Sequence, residues 1–223
     1  MHSLSQAQIE PAPGCISSAI NVVGKKWTAL ILRDLMGGPK RFCQLEQSVG
    51  KWVLAYAKSM KDVDAKLVDL ADYPMPFFNE PISPRFNNER QIDPGAKKWL
   101  EEVESYDAYV FVTPEYNHSV PGELKNAIDY ITWEIDRKPA AVVSHGTVGG
   151  ARAIMHLKEI LSESRAVVIP TQVTFMGVSE GLDEEGNLSQ DILAGHYNPE
   201  VSLKAMLEEL KWYSDALSTA RNK

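Results

Sequence analysis

From Val49 onward the apolar residues of this chain alternate between two rhythms. Val49, Trp52, Val53, Tyr56 and Met60 recur at helical spacing, and the short run Leu67-Val68-Asp69-Leu70 predicts a strand. A proline-rich loop follows from Tyr73 to Pro84, and Ala96, Trp99, Leu100 and Val103 then make the inner face of a second helix. The continuous apolar run Tyr109–Val112 predicts a strand buried on both faces. Leu124, Ala127, Ile128, Ile131 and Ile135 line the next helix, with Ser119 expected in its cap region and Pro121 in its first turn. Ala140-Ala141-Val142-Val143 is the next strand, and Ile154, Leu157 and Leu161 mark the helix after it. A strand region from Val167 to Phe175 precedes a long last helix carrying Leu203, Met206, Leu207, Leu210, Tyr213 and Leu217. Strands alternating with helices of this length predict an α/β fold with a doubly wound parallel sheet.

Two strand ends hold the polar residues of interest. In a parallel sheet these ends are where ligands bind. Thr113-Pro114-Glu115-Tyr116-Asn117 offers backbone donors and an aromatic ring against which a flat ring system could lie. The plain alternative is a strand-to-helix turn, with Pro114 and Asn117 serving its geometry. Ser144-His145-Gly146-Thr147-Val148-Gly149-Gly150 ends the following strand, and its glycines permit either close approach to a ligand or a tight turn. Two such loops on successive strands would lie side by side, which favours one shared site. His145 could contact a ligand there or serve as a hydrogen-bonded spectator. Of the nearby carboxylates, Asp129 is expected on a helix face making local contacts. No Cys, His and Asp grouping has metal-ligand spacing, and no nucleophile elbow occurs.

Before Val49 the picture changes. The net charge of −7 hides a basic head, in which Lys25, Lys26, Arg33, Lys40, Arg41 and Lys51 face only Glu10, Asp34 and Glu46. Both cysteines, Cys15 and Cys43, also fall there. Ile16, Ile20, Val23, Trp27 and Leu30 or Ile31 show helical spacing, while Ala29–Leu32 is also long enough for a strand. The chain as a whole is 44% hydrophobic, as in an ordinary globular protein. Two cysteines give no disulfide framework, no apolar run reaches the roughly 20 residues of a membrane span, and residues 1–14 do not read as a secretion signal. A flexible N-terminus and a cytoplasmic address are expected.

The motifs of the acidic body resemble a known family. Thr113-Pro114-Glu115-Tyr116-Asn117, Ser119, Pro121-Gly122 and Leu124-Lys125-Asn126-Ala127-Ile128-Asp129-Tyr130 resemble the signature of NADPH-dependent FMN reductases, which have a flavodoxin-like fold. Ser144-His145-Gly146 with Gly149-Gly150-Ala151-Arg152 is similar to that family's second flavin loop, and Asp69-Leu70-Ala71-Asp72-Tyr73-Pro74 matches as well. The resemblance covers residues 48–223. It implies FMN as cofactor and NADPH or NADH as hydride donor. Hydride would pass from nicotinamide to the flavin and on to a small-molecule acceptor such as a quinone, azo compound or free flavin. It further implies that Pro114, Glu115, Tyr116 and Asn117 hold the isoalloxazine and ribityl groups, with Ser144, His145, Gly146, Gly149 and Gly150 at the ring's other edge. The cofactor carries the chemistry, so no catalytic acid or base is assigned. A homodimer or tetramer is the expected assembly.

The head departs from that pattern. A flavodoxin-like sheet opens with a strand and a phosphate-cradling loop, and no Gly-Ser-x-Arg loop precedes the helix expected from about Ser48. Gly24-Lys25-Lys26-Trp27-Thr28 and Gly38-Pro39-Lys40-Arg41-Phe42 instead resemble the start of a winged-helix regulator of the HxlR type. Residues 15–47 are therefore expected to be a truncated helical fragment replacing the first strand and phosphate loop, joined to the reductase domain near Ser48-Val49-Gly50-Lys51. The recognition helix and wing are missing, so DNA reading is not expected. A regulator-derived redox sensor and an inactive fusion remain the alternatives. So does the idea that Ala29–Leu32 and Gly37-Gly38-Pro39-Lys40-Arg41 stand in for the missing strand and phosphate loop.

Overall fold

Strand β2 (Pro139–His145) is the axis of the structure, and every one of its seven residues is buried. An all-apolar run such as Ala140–Val143 is stable in that position because both faces are covered. β1 (Tyr109–Pro114) lies parallel to it, from Tyr109 opposite Ala140 to Pro114 opposite His145. The other edge of β2 takes two short parallel pieces, β3 (Val167–Val168) at its start and β4 (Val173–Phe175) at its end. Pro170 lies between them and has no N–H for a ladder. Its carbonyl instead accepts from Lys158 Nζ at 2.8 Å, and the next amide, Thr171 N, donates to Glu209.

This computed structural model describes residues 42–87, 89–195 and 198–221, with side chains from residue 48 onward except at 179 and 180. The chain divides into two units, Met1–Cys43 and Gln44–Lys223, and the description concerns the second. The readings made for the head, including the Ile16–Ile31 helix, the alternative strand Ala29–Leu32 and the Gly37–Arg41 loop, lie outside the described residues.

Helices cover both faces of the sheet. On one, Ala140 and Val142 meet α2 (Pro94–Glu104), α3 (Gly122–Asp129) and α4 (Ala151–Glu163) through Trp99, Leu100, Ile128, Ile154 and Leu157. On the other, Ala141 and Val143 meet α1 (Phe42–Ser59) and α7 (Pro199–Arg221) through Val49, Trp52, Val53, Leu203 and Met206. Two short helices, α5 (Val178–Gly181) and α6 (Gln190–Ala194), lead from β4 to α7. Trp52 meets Phe175 edge-on at 5.5 Å between ring centres. Each large aliphatic side chain buried this way stabilises the fold by about 1.5–3 kcal/mol. The expected doubly wound α/β architecture is present. Among the described helices none is long and apolar enough to cross a membrane.

Four local expectations need correction. Leu67–Leu70 is not a strand: Asp69 caps a single 3₁₀ turn, Leu70–Asp72, by accepting from Ala71 N at 3.0 Å. A strand requires a ladder partner, and among the described residues β1 pairs only with β2. The segment is instead held to α2 by Lys66 and Glu102, 2.5 Å apart. The Glu102 carboxyl, flanked by Lys66 and then by the Tyr106 hydroxyl, is drawn down to about 2. Second, α3 ends at Asp129, so Ile131 and Ile135 are buried beyond the helix. There the Glu134 carboxylate takes Thr132 N at 2.6 Å and Thr132 Oγ1 at 3.0 Å, a local arrangement that competes with helical hydrogen bonding. Third, α3 begins at Gly122 with Pro121 at its cap, and Ser119 plays no capping part. Fourth, α1 starts at Phe42, ahead of the helix start expected at about Ser48.

Candidate functional site

The two loops meet because β1 and β2 are adjacent, parallel and in register to their ends. Glu115 N donates to His145 O at 2.9 Å, continuing the ladder one residue past β1. Ser144 Oγ donates to Thr113 O at 2.8 Å and ties the strands again just below the loops. Pro114, Glu115, Tyr116 and Asn117 therefore stand beside Ser144, His145 and Gly146, as the sequence implied.

The first loop is a tight reversal. Tyr116 N donates to Ser119 O and Ser119 N to Tyr116 O, both at 2.9 Å. The two central residues, Asn117 and His118, have φ of 49° and 68°. This is the mirror-image two-residue turn that favours Asn followed by Gly. Asn tolerates the left-handed region, but His at the second place costs roughly 1–2 kcal/mol. Contacts to α4 hold the turn: Arg152 Nη1 meets His118 Nε2, and His156 Nδ1 lies 3.1 Å from Ser119 Oγ.

The second loop is packed from below. Gly149 and Gly150 both have left-handed φ, 73° and 75°. A Cβ on Gly150 would lie 2.0 Å from Ser144 Oγ, and one on Gly149 would lie 2.9 Å from Thr174 Cβ. Gly149 N donates to Gly146 O at 2.9 Å, and Gly146 N donates to Phe175 O at the end of β4. The glycines thus draw the loop down onto three strand ends, and they leave Thr147 and Val148 exposed.

The Glu115 carboxylate is engaged by the helix that follows the second loop. One carboxylate oxygen accepts from Arg152 N at 3.0 Å and the other pairs with Arg152 Nε at 2.8 Å. Gly150, the cap residue of α4, has no side chain to offer, and Glu115 caps the helix in its place. Asp129 behaves as expected and pairs with Lys125 one helical turn earlier at 2.7 Å. The sequence reading did not single out Arg152, His118 or His156 as site residues. Arg152 stood within the Gly149-Gly150-Ala151-Arg152 motif, and its four-residue spacing from His156 puts both on one face of a helix.

His145 shares the face of β2 that carries Ala141 and Val143. It is buried and its Nε2 has no hydrogen-bond partner. Burial lowers its pKa from 6.5 to about 4, so the ring is neutral at physiological pH.

What remains available for a ligand is mostly backbone. The N–H groups of Asn117, Thr147 and Val148 donate to no other described group. Such donors at two neighbouring strand ends suit a flat heterocycle with carbonyl and ring-nitrogen acceptors along one edge, and the isoalloxazine of FMN is such a ring. The residues present fit the ring half of that cofactor.

Comparison with known proteins agrees. A family model described as NADPH-dependent FMN reductase matches residues 38–179, beginning ahead of the boundary expected at residue 48. An NAD(P)H-dependent FMN reductase of Nectria sp is 34% identical over 196 residues, covering 79% of this chain and 94% of that protein. A quinone reductase of Escherichia coli is 45% identical over 83 residues, covering 34% of this chain and 44% of that one. FerB, a flavoenzyme NAD(P)H:(acceptor) oxidoreductase from Paracoccus denitrificans, shares the fold with a TM-score of 0.56 at 23% identity, covering 82% of this chain and 94% of that one. None of these matches supports a winged-helix regulator at the head. With the family model matched over more than half its length, the chain belongs to the NADPH-dependent FMN reductases, oxidoreductases that use FMN and NAD(P)H.

Proposed function

We propose that this chain holds the FMN ring between the Pro114–Asn117 and Ser144–Gly150 loops and passes hydride from NAD(P)H to a quinone. The observation that carries the reading is the side-by-side placement of two loops whose amides at Asn117, Thr147 and Val148 donate to no other described group. When bound, FMN supplies the hydride-accepting and hydride-donating chemistry. The protein's part is placement, and Asn117, Thr147 and Val148 would supply the amides for the ring edge. The quinone is favoured as acceptor by the name of the Escherichia coli relative.

The idea that Gly37-Gly38-Pro39-Lys40-Arg41 stands in for the phosphate loop is supported by the family match, which starts at residue 38. A homodimer or tetramer is supported by Phe77 and Phe86, both more than 80% exposed, and a cytoplasmic address accords with the two cysteines.

The test is spectroscopic. Purified protein reconstituted with FMN should keep the flavin's visible absorbance through gel filtration, lose it on anaerobic NADPH addition and regain it with benzoquinone. Protein that cannot be reconstituted would refute the reading. Lys40→Ala with Arg41→Ala should weaken FMN far more than riboflavin, since only FMN has the phosphate. Equal effects on both would remove that segment from the site. Light scattering during gel filtration gives the assembly.

A further inference from the structure

We propose that Arg152 and Glu115 act together as the positioning pair of the flavin-ring site, setting the shape of the first loop without touching the cofactor. The inference rests on the ring-site reading above and extends it to residues that reading leaves without a role.

The two side chains connect the parts of the site that the backbone does not. Glu115 belongs to the loop after β1, and Arg152 to the first turn of the helix after the second loop. Both oxygens of the Glu115 carboxylate are used by Arg152, one by its amide at 3.0 Å and one by Nε at 2.8 Å. The Glu115 side chain is only 8% exposed. A carboxylate so placed needs its partners, because the charge is costly to bury alone. The same guanidinium reaches on to His118 with Nη1. One arginine thus grips the loop on either side of Asn117, whose amide donates to no other described group. His156, one turn along α4, holds the end of the same reversal at Ser119.

The turn has a reason to need this grip. Asn117 and His118 both occupy the left-handed region, and the second is not a glycine. The first helical turn of α4 acts as a template that compensates for this strain. Because that turn also follows directly from Gly149-Gly150, the pair holds the two loops at a fixed separation. Arginine suits the place and lysine does not, since only a planar fork can meet Glu115 and His118 through different nitrogens at once.

The test titrates FMN into FMN-free full-length protein and follows flavin fluorescence. The proteins are the wild type, Arg152→Ala, Glu115→Ala, their double variant, Arg152→Lys and Glu115→Gln. Amide hydrogen exchange over 114–121 and 144–150 is read with and without FMN. Each alanine variant should weaken FMN binding about tenfold, and the double variant should be no weaker than either single, as expected for residues acting as a unit. In FMN-free Arg152→Ala, exchange at 116–119 should rise while β2 exchanges as in the wild type. Arg152→Lys and Glu115→Gln, which disturb folding least, should recover part of the affinity and part of the protection. Additive losses, full recovery with lysine, or unchanged exchange at 116–119 would overturn the positioning role. Failure of the ring-site reading has a separate signature: FMN would then protect neither loop in the wild type.

Discussion

Gly150 is packed directly against Ser144, so closely that a Cβ at Gly150 would fall 2.0 Å from Ser144 Oγ and 2.9 Å from His145 N. That contact lets the second loop turn from β2 into α4 while Ser144 keeps its bond to Thr113. Gly150→Ala should be destabilised by about 2–5 kcal/mol, from a left-handed φ of 75° together with overpacking. Gly122→Ala is the control, since a Cβ there meets nothing within 4 Å, and it should lie within about 0.5 kcal/mol of the wild type. Urea unfolding measures both.

His145 makes stability depend on pH. Its folded pKa of about 4 lies below the ordinary 6.5, so between these values the unfolded chain takes up a proton that the folded chain refuses. Stability should therefore be complete above pH 6.5, fall as the pH drops toward 4, and lose nothing further from this group below that. The loss amounts to about 3 kcal/mol, from the size of the shift. His145→Gln should flatten that part of the pH profile, as read by urea unfolding at successive pH values.

Asn126 reads the proline-rich loop as a backbone. Its Oδ1 accepts from Phe78 N at 2.8 Å and its Nδ2 donates to Pro76 O at 3.0 Å. Asn126→Ala should cost about 1–3 kcal/mol and open the 73–84 loop to protease. Asn126→Asp should be worse, because a carboxylate would face the Pro76 carbonyl. Limited proteolysis separates the three proteins.

Glu80 and Arg90 form a nearly buried pair, 14% and 8% exposed, at 2.8 Å. Arg90 also donates to Tyr130 O at 3.1 Å. Removing either partner alone, as Glu80→Leu or Arg90→Met, should cost about 3–5 kcal/mol, while the double variant should cost less than either. Thermal unfolding of the four proteins completes the cycle.

Much of this was legible in the chain. The rhythm of Ala96, Trp99, Leu100 and Val103 and the unbroken run at Ala140–Val143 correspond to α2 and β2 as built. The loop motifs led to the family. Leu67–Leu70 misled because an apolar run does not reveal whether a ladder partner is present, and Leu67 itself is exposed. Ile131 and Ile135 misled in the same way, keeping the helical stripe in sequence after the helix itself had ended at Asp129.

The sequence by itself determined the class of fold and the two polar strand ends that the sheet sets side by side, since periodicity and local turn chemistry are short-range properties. Only the tertiary structure decided what each loop residue does. The sheet brings Arg152, 37 residues further along the chain, onto the Glu115 carboxylate. The register of β2 with β4 places His145 opposite Phe175, where it is buried and neutral. Charge and burial at a site depend on neighbours far along the chain, and those neighbours exist only once the sheet has closed.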